Sequence, residues 1–173
     1  LREYVDRGGN LFLAQSKIDA SLQSQRGTPI VSNLFEILDI YGVSLQDNLV
    51  LDEVCNNITV TQQRGFFRIN TAVAYPFFPL IRSFGDHAMV EGLEQVHLLF
   101  PSEITWDLTD STTTVQPLLQ TSDRSGIAAG FYNLNPIENA MFETLTDASR
   151  VVGVYATSKI GASTVTSQLV LVP

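Results

Sequence analysis

The first part of the chain alternates segments of helical spacing with short apolar runs. Leu1 and Val5 lie one helical turn apart, which predicts the end of an amphipathic helix. Gly8 ends this helix, because glycine readily takes the left-handed conformation of a helix C-cap. The apolar run Asn10–Ala14 predicts a buried strand, and the polar residues 15–27 predict a surface loop.

A second helix and a second strand are predicted in the same order. Thr28 is a favourable N-cap residue, and Pro29 suits the first helical position. Apolar residues then recur at helical spacing until Gly42 closes the helix. The apolar run Asn48–Asp52 predicts the next strand. This order over residues 1–52 is typical of an α/β fold with a mostly parallel sheet flanked by helices.

Residues 53–173 have a different, strand-rich character. Two alternating segments, 57–62 and 66–70, predict a β-hairpin around Gln63-Arg64-Gly65. Further strands are predicted at residues 96–100, 114–121, 150–156 and 164–172, and one helix at residues 136–145. We therefore expect a single α/β domain over residues 1–173, with added antiparallel strands in its second half.

The distribution of charge excludes some classes of partner. The chain has 173 residues, of which 45% are hydrophobic, enough to bury the core of one domain. Its net charge is −8, and no two of its ten basic residues are adjacent. Nucleic acids require clustered cations to neutralise phosphates, and anionic membrane surfaces attract basic segments. We therefore expect no nucleic-acid partner, and membrane contact only through segments outside this chain.

The single cysteine is a possible nucleophile. Cys55 follows a predicted strand, as the nucleophile of a class I amidotransferase does. Such an elbow needs small residues two positions to either side, but Glu53 and Asn57 occupy these positions. An acidic neighbour such as Asp52 raises the pKa of a thiol rather than lowering it. We interpret Cys55 as structural, and a degenerate amidotransferase-like enzyme is the alternative.

The densest group of metal-ligating residue types lies between residues 86 and 97. It consists of Asp86, His87, Glu91, Glu94 and His97. Zinc can use two histidines and a carboxylate. However, His97 lies in an apolar strand run, and Gly92 breaks any helical register between the ligands. We therefore expect no metal and no cofactor, and a metal-dependent hydrolase that uses His87 and His97 is a further alternative.

Polar residues at predicted strand ends and turns are the candidates for ligand binding. Sheets of α/β proteins bind ligands beyond the carboxyl ends of their strands. The candidate residues are Asp52, Asp86, His87, Ser122 and Arg124.

The segment Tyr75–Pro79 is the candidate for a contact with another protein. It holds Tyr75, Phe77 and Phe78 beside two prolines. Prolines fix the backbone, so less entropy is lost when a partner binds. Aromatic residues of this kind serve either in a core or in an interface.

Six stretches of the chain, taken in order, resemble one protein family. They are Leu1–Leu11, Leu38–Val43, Asn48–Asp52 with Cys55, Tyr75–Pro79, Asp86–Leu93 and Pro117–Ser122. This ordered set resembles the GldG-like auxiliary components of gliding-motility-type ABC transporters. It spans nearly all of the chain, at least to residue 125. One departure is His87-Ala88, where that family typically has His-Pro.

The resemblance implies a domain of the intraflagellar-transport (GIFT) type, with a partial flavodoxin-like or amidotransferase-like sheet and no catalytic residues. It also implies a location on the periplasmic side of the bacterial inner membrane. The partners that it implies are an ABC permease and an ATPase, and the membrane helices of the parent protein would lie elsewhere. Because the chain opens inside a predicted helix and without Met, we expect it to be a piece of that longer protein.

These observations favour a non-enzymatic extracytoplasmic domain of an ABC transport auxiliary protein. The domain would act either in capture of an unknown ligand or in protein–protein contact. The alternative is a degenerate amidotransferase-like or metal-dependent hydrolase that uses Cys55 or His87 and His97. A purely structural spacer domain is a third possibility.

Overall fold

A computed structural model describes residues 1–107, 112–159 and 165–173. These residues form fifteen strands, one α helix and two 3₁₀ helices. The helices are α1 (Arg2–Asp6) and the 3₁₀ helices Phe35–Tyr41 and Ala140–Glu143. The strands are β1 (Leu11–Leu13), β2 (Ile18–Ser21), β3 (Arg26–Pro29), β4 (Val43–Leu45), β5 (Asn48–Asp52), β6 (Cys55–Arg64), β7 (Phe67–Ile81), β8 (Ser83–Phe84), β9 (Val96–His97), β10 (Ile104–Trp106), β11 (Thr113–Gln120), β12 (Arg124–Ala129), β13 (Thr146–Asp147), β14 (Val151–Lys159) and β15 (Thr166–Leu171).

The predicted fold class, a mostly parallel sheet flanked by helices, is wrong. The largest sheet has the strand order β1-β15-β14-β11-β8, and three smaller groups are β13-β12-β5, β6-β7-β9 and β10-β4. A separate hairpin joins β2 to β3. Among the paired strands of the described residues, only β1 and β15 run parallel. The protein is therefore a mostly antiparallel β structure.

The error arose at β5. All five of its residues are buried, and a strand buried on both faces is typical of parallel sheets. Here β5 pairs antiparallel with β12 and is buried because two different clusters pack against it. Leu49 and Leu51 face one cluster, and Val50 faces the other. Burial on both faces thus predicted the strand correctly, but it did not determine whether the strand runs parallel or antiparallel to its neighbour.

The predicted loop and second helix are also corrected. The polar residues 15–27 contribute to the hairpin of β2 and β3, in which Ile18 pairs with Pro29. Thr28 and Pro29 therefore end a strand instead of starting a helix. Proline is tolerated there because Pro29 is the last residue of β3 and pairs with Ile18, whereas the bridge of β3 to Asn133 lies at the other end of the strand, at Arg26. The helix shortens to the 3₁₀ turn Phe35–Tyr41, and Gly42 closes it in the left-handed conformation, as predicted (φ 61°).

The two faces of the five-stranded sheet contribute to different parts of the core. On one face, Val154 and Leu171 pack with the 3₁₀ residues Leu38 and Tyr41. The opposite face belongs to a second cluster and includes Leu118, Leu119 and Val152, with the half-buried Val170 and Val172 beside them. Within the described ranges, no helix has the length and apolar character needed to cross a lipid bilayer.

The predicted hairpin exists and is much longer than expected. Strands β6 and β7 pair from Asn57↔Ala74 to Arg64↔Phe67, where the turn closes. We call residues 57–74 the arm. The second half of β7, from Tyr75 to Ile81, continues into the core, whereas Phe66, Phe67 and Ile69 of the arm are exposed. The arm therefore projects from a base that the aromatic core holds in place.

The hydroxyl of Tyr75 supplies a test of that base. Its Oη donates a hydrogen bond of 2.9 Å to the carbonyl oxygen of Leu134 inside the core. Tyr75→Phe keeps the ring and removes the donor, so we expect a loss of about 1–2 kcal/mol in the free energy of unfolding. Urea denaturation measures this loss. Tyr4→Phe is the control, because the Tyr4 hydroxyl makes a long 3.4 Å bond at an exposed position. Equal effects of the two substitutions would contradict this account of the base.

Candidate functional site

Asp52 stands at the end of β5, where it fastens the turn that precedes β12. Its carboxylate is fully buried and accepts three hydrogen bonds from the chain. The backbone N–H of Val54 donates at 2.9 Å, the backbone N–H of Ser122 at 2.7 Å, and the Ser122 Oγ at 2.5 Å. A carboxylate satisfied in this way holds two loops together. Asp52 and Ser122 therefore lie next to each other, where β5 ends and just before β12 begins. Their polar atoms already form hydrogen bonds with each other.

Arg124 lies beside this pair and faces solvent. Its Nε forms an ion pair of 3.1 Å with the Glu53 carboxylate, and both side chains are more than half exposed. The Glu53 N–H also donates to the Arg124 carbonyl oxygen at 3.1 Å. The structure thus brings together three of the five predicted ligand-binding residues, Asp52, Ser122 and Arg124. A cavity of about 290 Å³ adjoins them, lined by Val54, Leu80, Arg82, Ser83 and Ser122.

The other two predicted ligand-binding residues lie in a turn after β8. Asp86 is exposed, and His87 is half-buried. The His87 Nδ1 accepts a hydrogen bond from the Met89 N–H at 3.1 Å, and its ring packs on Tyr155 with 4.5 Å between centroids. This histidine therefore caps its own turn.

The two ring nitrogens of His97 face two side-chain amides, of which only one can donate to the ring, because an imidazole that carries one N–H accepts at a single nitrogen. Its Nδ1 lies 2.6 Å from the Asn56 amide nitrogen, and its Nε2 lies 3.2 Å from that of Gln95. Across the described residues, no three His, Cys, Asp or Glu side chains come close enough to hold a metal ion.

The aromatic segment lies mostly in the core. Tyr75 and Phe77 are completely buried, and Phe78 is half-buried. Tyr75 meets Phe78 edge to face at 5.0 Å, and Phe78 meets Phe100 at the same distance. The rings of Tyr75 and Phe77 are therefore not available to a partner in this fold, because they pack the base of the arm.

Cys55 is half-buried at the start of β6, where it pairs with Pro79. Burial raises the pKa of the Cys55 thiol, and the nearby Asp52 carboxylate raises it further. A backbone hydrogen bond to Tyr75 opposes these effects but is outweighed. An activated nucleophile needs the opposite shift.

An apolar groove lies on the outer face of the five-stranded sheet, and the sequence did not indicate it. Its volume is about 560 Å³. It is lined by Phe12, Ala14, Met89, Val90, Leu93, Val96, Leu118, Leu119, Val170 and Val172. Phe12 is 68% exposed, Met89 52% and Leu93 45%, so the groove opens to solvent. Three large apolar side chains are thus exposed beside one another at this place on the surface.

Gly85 fixes one wall of the apolar groove. Its N–H donates to the Leu118 carbonyl oxygen at 3.0 Å, which ties the start of the 85–96 segment to β11. A Cβ at this position would lie 1.9 Å from the Pro117 carbonyl oxygen, so glycine is required. The segment then carries Met89, Val90 and Leu93 over the sheet.

Two sequence signals could have revealed the groove. Phe12 alternates with Leu11 and Leu13, so it must point to the opposite side of β1 from its neighbours. The acidic residues that are candidate metal ligands are interspersed with apolar residues, namely Met89, Val90 and Leu93. Their apolar spacing was the more informative feature.

Comparison with known families identifies the chain. It matches the family described as "ABC-type uncharacterized transport system", which groups auxiliary components, over residues 1–163. The chain belongs to this family. The family match thus assigns it to the auxiliary components of ABC-type transport systems.

One relative of this auxiliary component is a Borreliella burgdorferi protein that carries the name "Uncharacterized protein". The two are 38% identical over 52 residues, which is 30% of this chain and 10% of the relative. The matched part thus spans about a tenth of that protein's length. No solved structure matches the chain.

Asp52 provides a prediction that separates a structural from a ligand-binding role. Asp52→Asn replaces one accepting oxygen with a donor that faces N–H groups, so we expect a loss of about 3 kcal/mol in stability. Thermal and urea unfolding of the auxiliary domain measure it. Asp86→Asn, at an exposed position, is the matched control and should change stability by less than about 0.5 kcal/mol. A small effect at both positions would argue against the fastening role of Asp52.

The thiol of Cys55 gives a prediction with a defined pH dependence. Only the thiolate reacts, and a pKa raised by burial lowers the thiolate fraction at neutral pH. We expect an aromatic disulfide reagent to label Cys55 more slowly at pH 7 than it labels the unfolded chain. The rate should rise as the pH climbs through the elevated pKa. Labelling faster than in the unfolded chain would instead favour the nucleophile alternative.

Proposed function

We propose that this domain is a non-enzymatic contact domain of the auxiliary protein, and that the apolar groove is its contact surface. The groove is the observation that carries the proposal. Phe12, Met89 and Leu93 expose large apolar side chains at one place on the surface. Burial of such side chains against a partner supplies the main favourable free energy of association.

Contact is better supported than capture of a small ligand. A small-molecule site fixes its ligand with a few converging polar groups. The polar candidates do not converge: Asp52 and Ser122 bond each other, and Arg124 pairs with Glu53. The groove is lined by apolar side chains, and Glu91 and Glu94 are exposed on the segment that forms one of its walls. An apolar centre with a polar rim is the arrangement of a protein interface.

The acids beside the groove are Asp86, Glu91 and Glu94, which we call the acidic rim. All three are exposed. Glu91 and Glu94 directly follow the groove residues Val90 and Leu93 in the sequence, and Asp86 precedes the groove residue Met89 in the same segment. None of them takes part in an ion pair within the described part of the chain. Such a rim selects partners that carry basic residues around an apolar centre.

We further propose that the domain works outside the cytoplasmic membrane, on its periplasmic side. The ordered resemblance to the GldG-like components of gliding-motility-type transporters supports this location. It also supports a permease and an ATPase as members of the assembly. Family membership supports the transport role in general terms.

An enzymatic role has no observation in its favour. Burial raises the pKa of the Cys55 thiol, and the nearby Asp52 carboxylate raises it further. His97 faces the amides of Asn56 and Gln95, while His87 bonds its own turn. General acid–base catalysis needs a nucleophile and a base within hydrogen-bond reach of each other. These residues stand in separate hydrogen-bond networks.

Leu93→Glu in the full-length parent protein tests the contact surface. The substitution places a charge in the groove at a half-exposed position, so the fold is retained and the contact is lost. The readout is the amount of permease, ATPase or further auxiliary protein that co-purifies with the variant. We expect at least a tenfold loss of affinity for one of these components, or about 1.4 kcal/mol.

Val31→Glu is the matched control. Val31 is 97% exposed and does not line the groove. The control variant should retain every component that the unmodified protein binds. Retention of the whole assembly by both variants would overturn the groove as a contact surface.

A further inference from the structure

The arm has two chemically different faces. Side chains alternate between the faces of a two-stranded ribbon. Asn57, Thr59 and Thr61 lie on one face opposite Ala74, Ala72 and Asn70. Ile58 and Val60 lie on the other face, opposite Val73 and Thr71. The second face is thus the apolar one, and it continues through Ile69 to Phe67 near the turn.

The tip of the arm is its most apolar part and its most exposed. Phe66 is fully exposed, Phe67 is 75% exposed and Ile69 is 44% exposed. Eight residue pairs separate the tip from the base, a reach of roughly 25 Å. A two-stranded hairpin of this kind is marginally stable in water on its own. A partner that covers the tip would therefore stabilise it.

The arm also differs in charge from the rest of the protein. Residues 57–74 contain no Asp or Glu and include Arg64 and Arg68, whereas the whole chain has a net charge of −8. The arm is thus a cationic, aromatic-tipped projection from an acidic protein. A site that binds the arm therefore needs an apolar centre and negatively charged residues at its edge.

The apolar groove has that chemistry. Its floor is apolar, and its acidic rim has no ion-pair partner within the described residues. Pockets of about 300–1,000 Å³ hold drug-sized molecules, so the groove volume of about 560 Å³ is enough for two phenyl rings.

We propose that the tip of the arm of one copy binds in the apolar groove of a second copy of this chain. Phe66 and Phe67 insert between Phe12, Met89 and Leu93, and Arg68 of the arm faces the acidic rim. The inference rests on the proposed function, since it names the partner of the same surface. A lipid surface would also accept an aromatic tip with arginines, but it would leave the groove uncovered.

The contact joins two different surfaces, which constrains the assembly. If a two-fold axis relates the copies, each dimer contains two arm–groove contacts and is closed. Without that axis, the same contact extends into longer chains. Both forms require the arm tip and the groove equally.

Sedimentation equilibrium of the chain over roughly 1–500 μM tests the inference. The unmodified chain should self-associate, and the association should weaken as salt screens the rim. Phe66→Ser with Phe67→Ser removes the tip, and Leu93→Glu blocks the groove. Each variant alone should be at least tenfold weaker in self-association than the unmodified chain. Val31→Glu should associate normally.

A mixture of the two variants gives the most specific result. The tip variant retains a normal groove, and the groove variant retains a normal tip, so each mixed pair can form one intact contact. The mixture should therefore associate more strongly than either variant alone. Thermal unfolding within a few degrees of the unmodified chain shows that each variant is folded.

Three outcomes would overturn the inference. One is a chain that stays monomeric throughout the concentration range. Another is tip-dependent binding to vesicles containing phosphatidylglycerol with no self-association. The third is association that Leu93→Glu abolishes but the tip substitutions leave intact. In this third case the groove remains a contact surface, so the proposed function survives while its assigned partner does not.

Discussion

The position of β5 between two clusters of the core is the constraint on which the rest of the structure depends. Leu49 and Leu51 pack against Tyr75 and Phe77 at the base of the arm. Val50 packs into the cluster behind the five-stranded sheet. One strand thus contributes to two hydrophobic clusters, and the buried carboxylate of Asp52 terminates it by fastening the turn at Ser122. Loss of this strand would remove apolar contacts from both clusters at once.

This arrangement explains where a partner can and cannot bind. The polar groups where β5 ends and β12 begins already form hydrogen bonds that hold two loops together, because a buried carboxylate requires hydrogen-bond donors. The inner face of the large sheet is covered by the 3₁₀ helix through Leu38 and Tyr41. The outer face is covered in part by Val50, Ile81 and Leu98, and its remaining part carries the apolar groove beside the segment that starts at Gly85. Apolar surface therefore remains open there and at the tip of the arm.

The sequence predicted several elements correctly and the architecture wrongly. The helix before Gly8, the strand Asn48–Asp52 and the turn of the hairpin could be predicted, because each depends on local spacing or on glycine. Strand direction could not be predicted, since the burial pattern of β5 is the same for either direction. The meeting of Asp52 with Ser122 depends on that direction, and so does the covering of Tyr75. The local sequence pattern thus pointed to residues with structural roles, but it did not show which residues of other strands they contact.

The pairing of β1 with β15 has a consequence for how the chain folds. Leu11 lies opposite Leu169, so the large sheet joins residues from nearly opposite ends of the sequence. Contacts of such long separation require closure of a long loop before they return any free energy, which slows folding. During synthesis, β1 has no sheet to join until β14 and β15 have both left the ribosome. Leu11 and Leu13 therefore stay without their partner strand until β15 has been synthesised.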